Sequence, residues 1–248
     1  MKRYFAYLMF DGTPFHGWQA QPNAPSVQEE VEKALKILMQ AELNVVGAGR
    51  TDTGVHAEEM AFHFDCEESL DKQTFLHRMN SLLPKSIALY DLKAVKSDFH
   101  ARFDASSRTY RYLICQQKNP FFLNRAYQFN QELDVNAMNR AAAELLGTHD
   151  FSCFSKAHTQ TFTNNCELSH AEWRQEGHLL VFQISANRFL RNMVRAIVGT
   201  LIEVGMGKRK GKEMKALIES KNRSNAGSSV PAAGLYLHKI EYPASGFL

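Results

Sequence analysis

The chain has 248 residues, 44% hydrophobic and 22% charged, with a net charge of +3 at pH 7, which excludes disorder over most of its length. No segment approaches the ~20 consecutive apolar residues that a membrane-spanning helix needs. The four widely spaced cysteines contain no Cys-x-x-Cys pair, which argues against a disulfide framework or a zinc site and favours free thiols in the cytoplasm.

The first part of the chain predicts the element order β-α-β-β-α-β. A capping box over 26–29 precedes apolar residues at helical spacing, and alternating aromatic residues near Phe62 indicate a strand. The predicted elements are a strand over 3–11, a helix from 27, strands over 43–47 and through 60–64, a helix over 71–83 and a strand over 87–95. This order is that of a ferredoxin-like unit.

The second part predicts the same order again. The predicted elements are a strand over 108–116, a helix over 134–146, a hairpin of strands over 168–175 and 179–186, a helix over 189–204 and a strand over 235–242, with insertions at 117–130, 148–165 and 205–233. The repeat is one of element order and not of residue identity.

The two repeats predict an α+β fold. We expect two fused ferredoxin-like subdomains, residues 1–104 and 105–248, because nothing between Lys93 and Arg108 resembles a flexible linker. Side by side, they would form one broad, mainly antiparallel sheet with helices on one face and a central cleft.

Positive charge is concentrated in one segment. Residues 188–223 contain ten Lys or Arg and three Glu, a net +7, which leaves −4 on the rest of the chain. Such a cationic zone is typical of a surface that binds a polyanion, and a solvated helix face is the alternative.

The stretch Gly47–Glu59 (GAGRTDTGVHAEE) contains the strongest candidate for chemistry. It is not a dinucleotide-binding loop, because the third glycine would fall at Asp52 and no helix follows. It also lacks the alternating oxygen ligands of a calcium loop. Its Asp-Thr-Gly sequence is that of aspartic proteases, but no second such triplet exists, so the required carboxylate pair would need a symmetric dimer.

Arg50 precedes Asp52 by two residues and favours a permanently ionised carboxylate. An ionised aspartate suits a nucleophile or an electrostatic stabiliser better than a general acid. The alternative is an ion pair that only stabilises a turn.

The motifs as a set resemble those of the tRNA pseudouridine synthases of the A type. Gly49–Ala57 (GRTDTGVHA) is similar to the catalytic motif of that family almost residue for residue. The other blocks are Phe15–Gln19 (FHGWQ), Ser26–Glu29 (SVQE), Phe99–Phe103 (FHARF), Arg108–Tyr112 (RTYRY), Gly147–Ser152 (GTHDFS), Asn187–Gly199 (NRFLRNMVRAIVG) and Gly234–Leu237 (GLYL). The resemblance covers almost the whole chain, in order.

This resemblance implies roles for four residues in the reaction. Asp52 is expected to be the catalytic nucleophile that acts on the glycosidic system of a uridine, and Arg50 to pair with it and hold the target base out of the stack. Tyr110 is expected to stack on the flipped uracil or move a proton, and Leu235 to form an apolar wall. Without the resemblance, Tyr110 and Leu235 would both be assigned to the core.

The resemblance also suggests substrate-binding residues. Arg195 would bind phosphate or support Asp52, and Arg191, four residues earlier on the same predicted helix face, suits a phosphate contact or plain solvation. Phe15 and Trp18 would stack on bases, or alternatively hold a loop to the core.

The implied activity is the isomerisation of uridine to pseudouridine at positions 38, 39 and 40 of tRNA, after base flipping, by a homodimer. No redox step and no outside group enters this reaction, so no cofactor is expected. The ten histidines show no metal-ligand spacing, so no metal is expected either. A non-catalytic RNA-binding protein of the same fold is the main alternative, and a dimeric aspartic protease is a remote one.

Overall fold

A computed structural model describes residues 1–156 and 162–248, so residues 157–161 of the predicted insertion at 148–165 lie outside the described residues. The strands are β1 (Lys2–Phe10), β2 (Val46–Gly47), β3 (His56–Cys66), β4 (Ile87–Val95), β5 (Ser107–Cys115), β6 (Tyr127–Gln128), β7 (Gly147–Asp150), β8 (Asn165–Glu176), β9 (Leu179–Ala186) and β10 (Leu235–Glu241). The helices are α1 (Val27–Met39), α2 (Lys72–Leu82), α3 (Val135–Ala143), α4 (Met193–Gly205) and α5 (Met214–Ser220).

The chain divides into two compact units. The first comprises Met1–Ser106 together with Tyr236–Leu248, and the second comprises Ser107–Leu235. Residues 236–248 belong to the first unit because β10 pairs with β3, in parallel, through Tyr236 opposite His56. The expected subdomains, residues 1–104 and 105–248, stay a prediction.

The sheet of the first unit has β1 in antiparallel pairing with both β3 and β4. Ala6 lies opposite Phe62 on one side and opposite Leu92 on the other. The predicted strand over 43–47 is reduced to the two residues of β2, because side chains of α1 take the backbone groups of Val45. Its N–H donates to the Glu32 carboxylate (3.3 Å), and its carbonyl accepts from the Gln28 amide (3.4 Å).

The sheet of the second unit runs β5–β9–β8–β7, and all these pairs are antiparallel. The predicted α+β class, with mainly antiparallel strands, is confirmed. The predicted helix over 134–146 ends three residues early at Ala143, because the chain turns into β7 at Gly147, whose φ is +95°. The predicted insertions also contain β6, α5 and all of β7 except its first residue, Gly147.

Each unit has its own apolar core. In the first unit, the Phe5 ring stacks on Phe99 at 5.0 Å between ring centres. In the second, Trp173 of β8 stacks on Phe182 of β9 at 4.8 Å, and Asn139 of α3 bonds both backbone groups of Trp173 (2.7 and 3.0 Å). Burial of each such aromatic ring contributes roughly 1.5–3 kcal/mol to the free energy of unfolding.

The four cysteines are free, as the sequence predicts, and all four are buried. Among the described residues, no helix has the length and hydropathy that a membrane crossing requires.

Candidate active site

The loop of residues 48–55, here called the Asp52 loop, joins β2 to β3. Ala48 N donates to Ala61 O (2.8 Å), so the loop starts while still paired to β3. It ends in a tight turn in which Val55 N donates to Asp52 O (3.1 Å) and Gly54 has a φ of +75°. Glycine adopts this conformation without steric cost. The turn leaves Asp52 half-buried at its first position.

Residues 12–18 fix the backbone of the Asp52 loop from the other side. Gly17 has a φ of +93°, and a Cβ atom there would lie 2.1 Å from the Thr51 carbonyl oxygen. At Gly12, a Cβ atom would lie 2.0 Å from the Val55 carbonyl oxygen. Trp18 N donates to Thr51 Oγ1 (3.0 Å). Residues 12–18, here called the N-terminal motif, therefore position the loop through backbone contacts that only glycine permits.

Phe15 and Trp18 are buried beside this loop, with 5% and 1% of their surfaces exposed. The Trp18 ring packs near Phe62 (6.0 Å between ring centres) and fills the space at Gly47, where a Cβ atom would lie 2.3 Å from the indole Nε1. Gly54 N donates to the Phe15 carbonyl oxygen (3.3 Å). In this arrangement neither ring offers a face to a base, which favours the alternative that both residues hold the loop to the core.

Arg50 is exposed and is oriented by a chain of amide side chains. Its Nε donates to Gln19 Oε1 (3.3 Å), Gln19 Nε2 donates to Gln28 Oε1 (2.7 Å), and Gln28 Nε2 donates to Glu32 Oε1 (2.9 Å). Helix α1 thus determines the direction of the guanidinium. The ion pair between Arg50 and Asp52 stays a prediction.

His56 serves as a structural residue. It is buried, its Nδ1 accepts a hydrogen bond from Gly12 N (3.0 Å), and its ring stacks on Tyr236 at 4.6 Å. Among residues 1–156 and 162–248, no group of three or more His, Cys, Asp or Glu residues has a geometry that would hold a metal ion.

Tyr110 lies on β5 of the second unit, opposite Ile184 of β9. Its half-buried ring meets the Phe189 ring edge-on, at 5.1 Å and 86°. Phe189 therefore sets the orientation of the tyrosine. The sequence did not assign this role, although Phe189 belongs to one of the motif blocks.

Arg191 and Arg195 do not share a helix face, so that prediction is wrong. Asn192 has a φ of +67°, which ends any helical continuation, and α4 begins only at Met193. Arg191 precedes the helix and is exposed. Arg195 lies within α4, and its Nε donates to the Val230 carbonyl oxygen (2.8 Å).

Leu235 is buried at the start of β10. The preceding Gly234 packs so tightly on β5 that a Cβ atom would lie 2.7 Å from the Tyr112 ring. Tyr112 in turn donates its hydroxyl hydrogen to the Pro231 carbonyl oxygen (2.8 Å). The start of the block Gly234–Leu237 is thereby held against β5 within the second unit.

The family model described as tRNA pseudouridine synthase matches residues 6–104 and 141–243. The chain belongs to this family. The family predicted from the motifs is confirmed.

Relatives named tRNA pseudouridine synthase A are similar over almost their whole length. That of Parabacteroides distasonis is 50% identical over 248 residues, which cover 100% of this chain and 98% of the relative. That of Porphyromonas gingivalis is 50% identical over 253 residues and 100% of both chains. That of Acetivibrio thermocellus is 40% identical over 237 residues, 95% of this chain and 97% of the relative.

The two ranges that match the family model include most of the predicted site residues but not Tyr110. Asp52, Arg50, Arg195 and Leu235 lie within the matched ranges, whereas Tyr110 lies between the two. Motif resemblance, together with the edge-on contact with Phe189, supports a role for Tyr110, which stays a prediction.

Proposed function

We propose that this chain converts uridine to pseudouridine in tRNA, with Asp52 as the catalytic nucleophile. The observation that carries the proposal is the Asp52 loop, whose backbone is fixed from residues 12–18 so that one half-buried carboxylate is presented at a tight turn. The family and the names of the relatives support tRNA as the substrate. The proposed targets are the uridines at positions 38, 39 and 40 of the anticodon stem-loop.

The reaction is an isomerisation in which the atoms balance without a second reactant. The C1′–N1 bond breaks, the uracil turns, and C1′ joins C5; C5 loses a proton and N1 gains one. Asp52 supplies the oxygen nucleophile beside the sugar and base. A detached uracil must be held until it rejoins, so a rigid site favours the productive geometry.

Five further predicted residues act on the nucleotide. Arg50 pairs with Asp52 and helps to hold the target base outside the stack. Tyr110 stacks on the uracil or accepts the C5 proton, and Leu235 packs on the base as an apolar wall. Arg195 and Arg191 contact phosphate. The hydrogen bond of Arg195 with the carbonyl of Val230 is compatible with this role, because a guanidinium has five N–H donors.

Binding must offset the cost of extruding the base, which is roughly a few kcal/mol. The cationic zone over 188–223 is suited to this because several of its lysines are exposed: Lys208, Lys210, Lys212 and Lys215. Affinity for tRNA should then fall with rising salt concentration. The proposed assembly is a homodimer, and the proposed location is the cytoplasm, where tRNA is found.

Tritium release from tRNA that carries [5-³H]uridine tests the proposal. The wild-type chain should release tritium, and Asp52→Asn should lower the rate by more than about a thousandfold while tRNA binding stays nearly unchanged. Asp98→Asn, which removes an exposed carboxylate of the same unit, is the matched control and should keep the wild-type rate. Activity of a few per cent or more in Asp52→Asn would refute the assignment of the nucleophile. Absence of tritium release by the wild-type chain would favour the alternative, a non-catalytic RNA-binding protein of the same fold.

A further inference from the structure

The motif Phe99–Phe103 has no role in the site described so far, yet it forms a tightly held turn. Ala101 N donates to His63 Nδ1 (3.1 Å), and Arg102 N donates to His100 Nδ1 (3.0 Å). Burial, together with the charge of Arg3, lowers the pKa of His63 to about 4, so the ring is a neutral acceptor at pH 7. Two imidazole rings therefore fix the backbone of this turn.

The turn directs two large side chains outwards. Arg102 is exposed, and Phe103 has 74% of its surface exposed. The Arg102 Cζ lies 5.6 Å from the centre of the Phe103 ring. A rigid backbone that exposes an aromatic ring beside a guanidinium is unfavourable for folding alone, because the apolar ring gains little burial. The combination is typical of surfaces that bind single-stranded nucleic acid.

Arg102 also lines a cavity of about 240 Å³ in the first unit together with Arg50, Gln19, Gln28 and Gly49. Of the described residues that line it, none is acidic. The carboxamides of Gln19 and Gln28 are joined to each other and to Arg50 by hydrogen bonds, which orders the wall beside the Asp52 loop. A Cβ atom at Gly49 would meet no atom within 4 Å, so the cavity has room at that point.

We propose that this cavity binds a backbone phosphate of the substrate RNA between Arg102 and Arg50, and that Phe103 stacks on the adjoining base. The inference rests on the proposed function and adds a nucleotide subsite to it. One guanidinium group can bind two phosphate oxygens through parallel hydrogen bonds. Most hydrogen bonds between proteins and nucleic acids go to phosphate and sugar. Because Arg50 precedes Asp52 by two residues, the bound phosphate belongs to a nucleotide near the target uridine.

An RNA strand fits these features better than a small free anion. A free anion would use the cations of the cavity but would not stack on the Phe103 ring, which stays 74% exposed although it contacts His100 (4.3 Å between ring centres) and Arg102. Unpaired bases of an RNA loop are recognised by stacking on aromatic side chains. The anticodon stem-loop offers both a phosphate and such a base.

The first test compares Arg102→Gln with Arg78→Gln, which removes an exposed arginine of α2 in the same unit. Binding of tRNA is measured at several salt concentrations. Arg102→Gln should weaken binding roughly tenfold and reduce the slope of log affinity against log salt by about one, as expected for the loss of one phosphate contact. Arg78→Gln should leave both unchanged. Arg102→Lys should recover part of the affinity, because it keeps the charge but not the paired hydrogen bonds.

The second test identifies the phosphate. Anticodon stem-loop RNAs are prepared with one neutral methylphosphonate linkage each, at successive positions. One position should weaken binding to the wild type but not weaken binding to Arg102→Gln any further, because the contact is already lost. If every linkage affects the wild type and Arg102→Gln equally, Arg102 contributes only general attraction and the subsite is refuted.

The third test concerns the base. Phe103→Leu should raise KM for tRNA about fivefold with kcat unchanged, because loss of stacking weakens binding. The control, Phe121→Leu, changes another ring that is 86% exposed and should have no effect. Equal KM values for the two variants would contradict the role of Phe103.

Two kinds of failure are distinguishable. If the wild-type chain releases no tritium from tRNA, the proposed function fails. If it releases tritium while Arg102→Gln binds tRNA as Arg78→Gln does, with circular dichroism showing both variants folded, only the subsite fails.

Discussion

Replacement of Gly17 by alanine tests how strictly the Asp52 loop must be positioned. The new Cβ atom would lie 2.1 Å from the Thr51 carbonyl oxygen, whereas ordinary contact begins at 3.4 Å, so Thr51 must recede by about 1.3 Å. Thr51 directly precedes Asp52, and a misplacement of about 1 Å costs on the order of a hundredfold in rate. The φ of +93° adds about 1–2 kcal/mol of backbone strain, and the clash adds about 1–3 kcal/mol.

Gly177→Ala is the control that separates strain from displacement. Gly177 has a φ of +58° in the turn between β8 and β9, but a Cβ atom there would meet no atom within 4 Å. This variant should lose about 1–2 kcal/mol of unfolding free energy and keep the wild-type rate.

The assay is single-turnover tritium release at saturating protein, with urea unfolding measured in parallel. Gly17→Ala should be about a hundredfold slower than Gly177→Ala under conditions in which both are folded. If Gly17→Ala keeps the wild-type rate and loses only stability, the N-terminal motif does not position Asp52 and the reasoning is refuted.

Three further outcomes are expected. Because the pKa of His63 is lowered to about 4 by burial and by Arg3, only the unfolded chain binds this proton between about pH 6.5 and 4. The unfolding free energy should therefore fall by up to about 3 kcal/mol as pH decreases through that window, and urea titrations of His63→Gln should show a smaller fall. Thr51→Val should lower the free energy of unfolding by about 1–3 kcal/mol, because Trp18 N loses its hydrogen-bond acceptor. An unchanged midpoint of urea unfolding would contradict this. Burial raises the pKa of Cys153 to about 12, so the thiol should resist an aromatic disulfide reagent at pH 8 until the chain is unfolded.

Local sequence patterns predict most of the elements. The N-cap half of the capping box over 26–29 is observed, with Ser26 Oγ accepting from Glu29 N (3.3 Å), and α1 begins where the pattern places it. Both end residues of the strand predicted over 87–95 agree with those of β4, because apolar residues alternate along it and a proline precedes it. These features depend on residues close in sequence.

The errors arise where distant residues compete for the backbone. Val45 shows strand composition, but Glu32 and Gln28 of α1 occupy its hydrogen-bonding groups, so β2 is short. The helix predicted over 189–204 loses its first turn because Asn192 adopts a left-handed conformation. Helical periodicity at Arg191 and Arg195 gives no sign of this interruption.

In the candidate site, too, features that depend on neighbouring residues can be predicted and features that depend on distant residues cannot. The sequence predicts Asp52 as a site residue through a motif that is continuous in the chain. It cannot show why Gly17 is needed, because the contact that excludes a side chain involves Thr51, in another segment. The edge-on packing of Phe189 on Tyr110 likewise depends on how β5 and the chain after β9 meet.

The contacts around Asp52 imply a division between residues that position the proposed nucleophile and residues that are proposed to hold the substrate. The Asp52 loop is fixed by Gly17 and by the Trp18 N–H on Thr51, which act on backbone and need no substrate to form. Loss of such a contact displaces the Asp52 carboxylate to the same extent with and without bound substrate. Thr51→Val should therefore lower kcat more than it changes KM. Arg102 and Phe103 lie on a separate turn held by His63 and His100. That turn is fixed independently of the Asp52 loop. Substitution of Arg102 or Phe103 should therefore raise KM for tRNA and leave kcat unchanged.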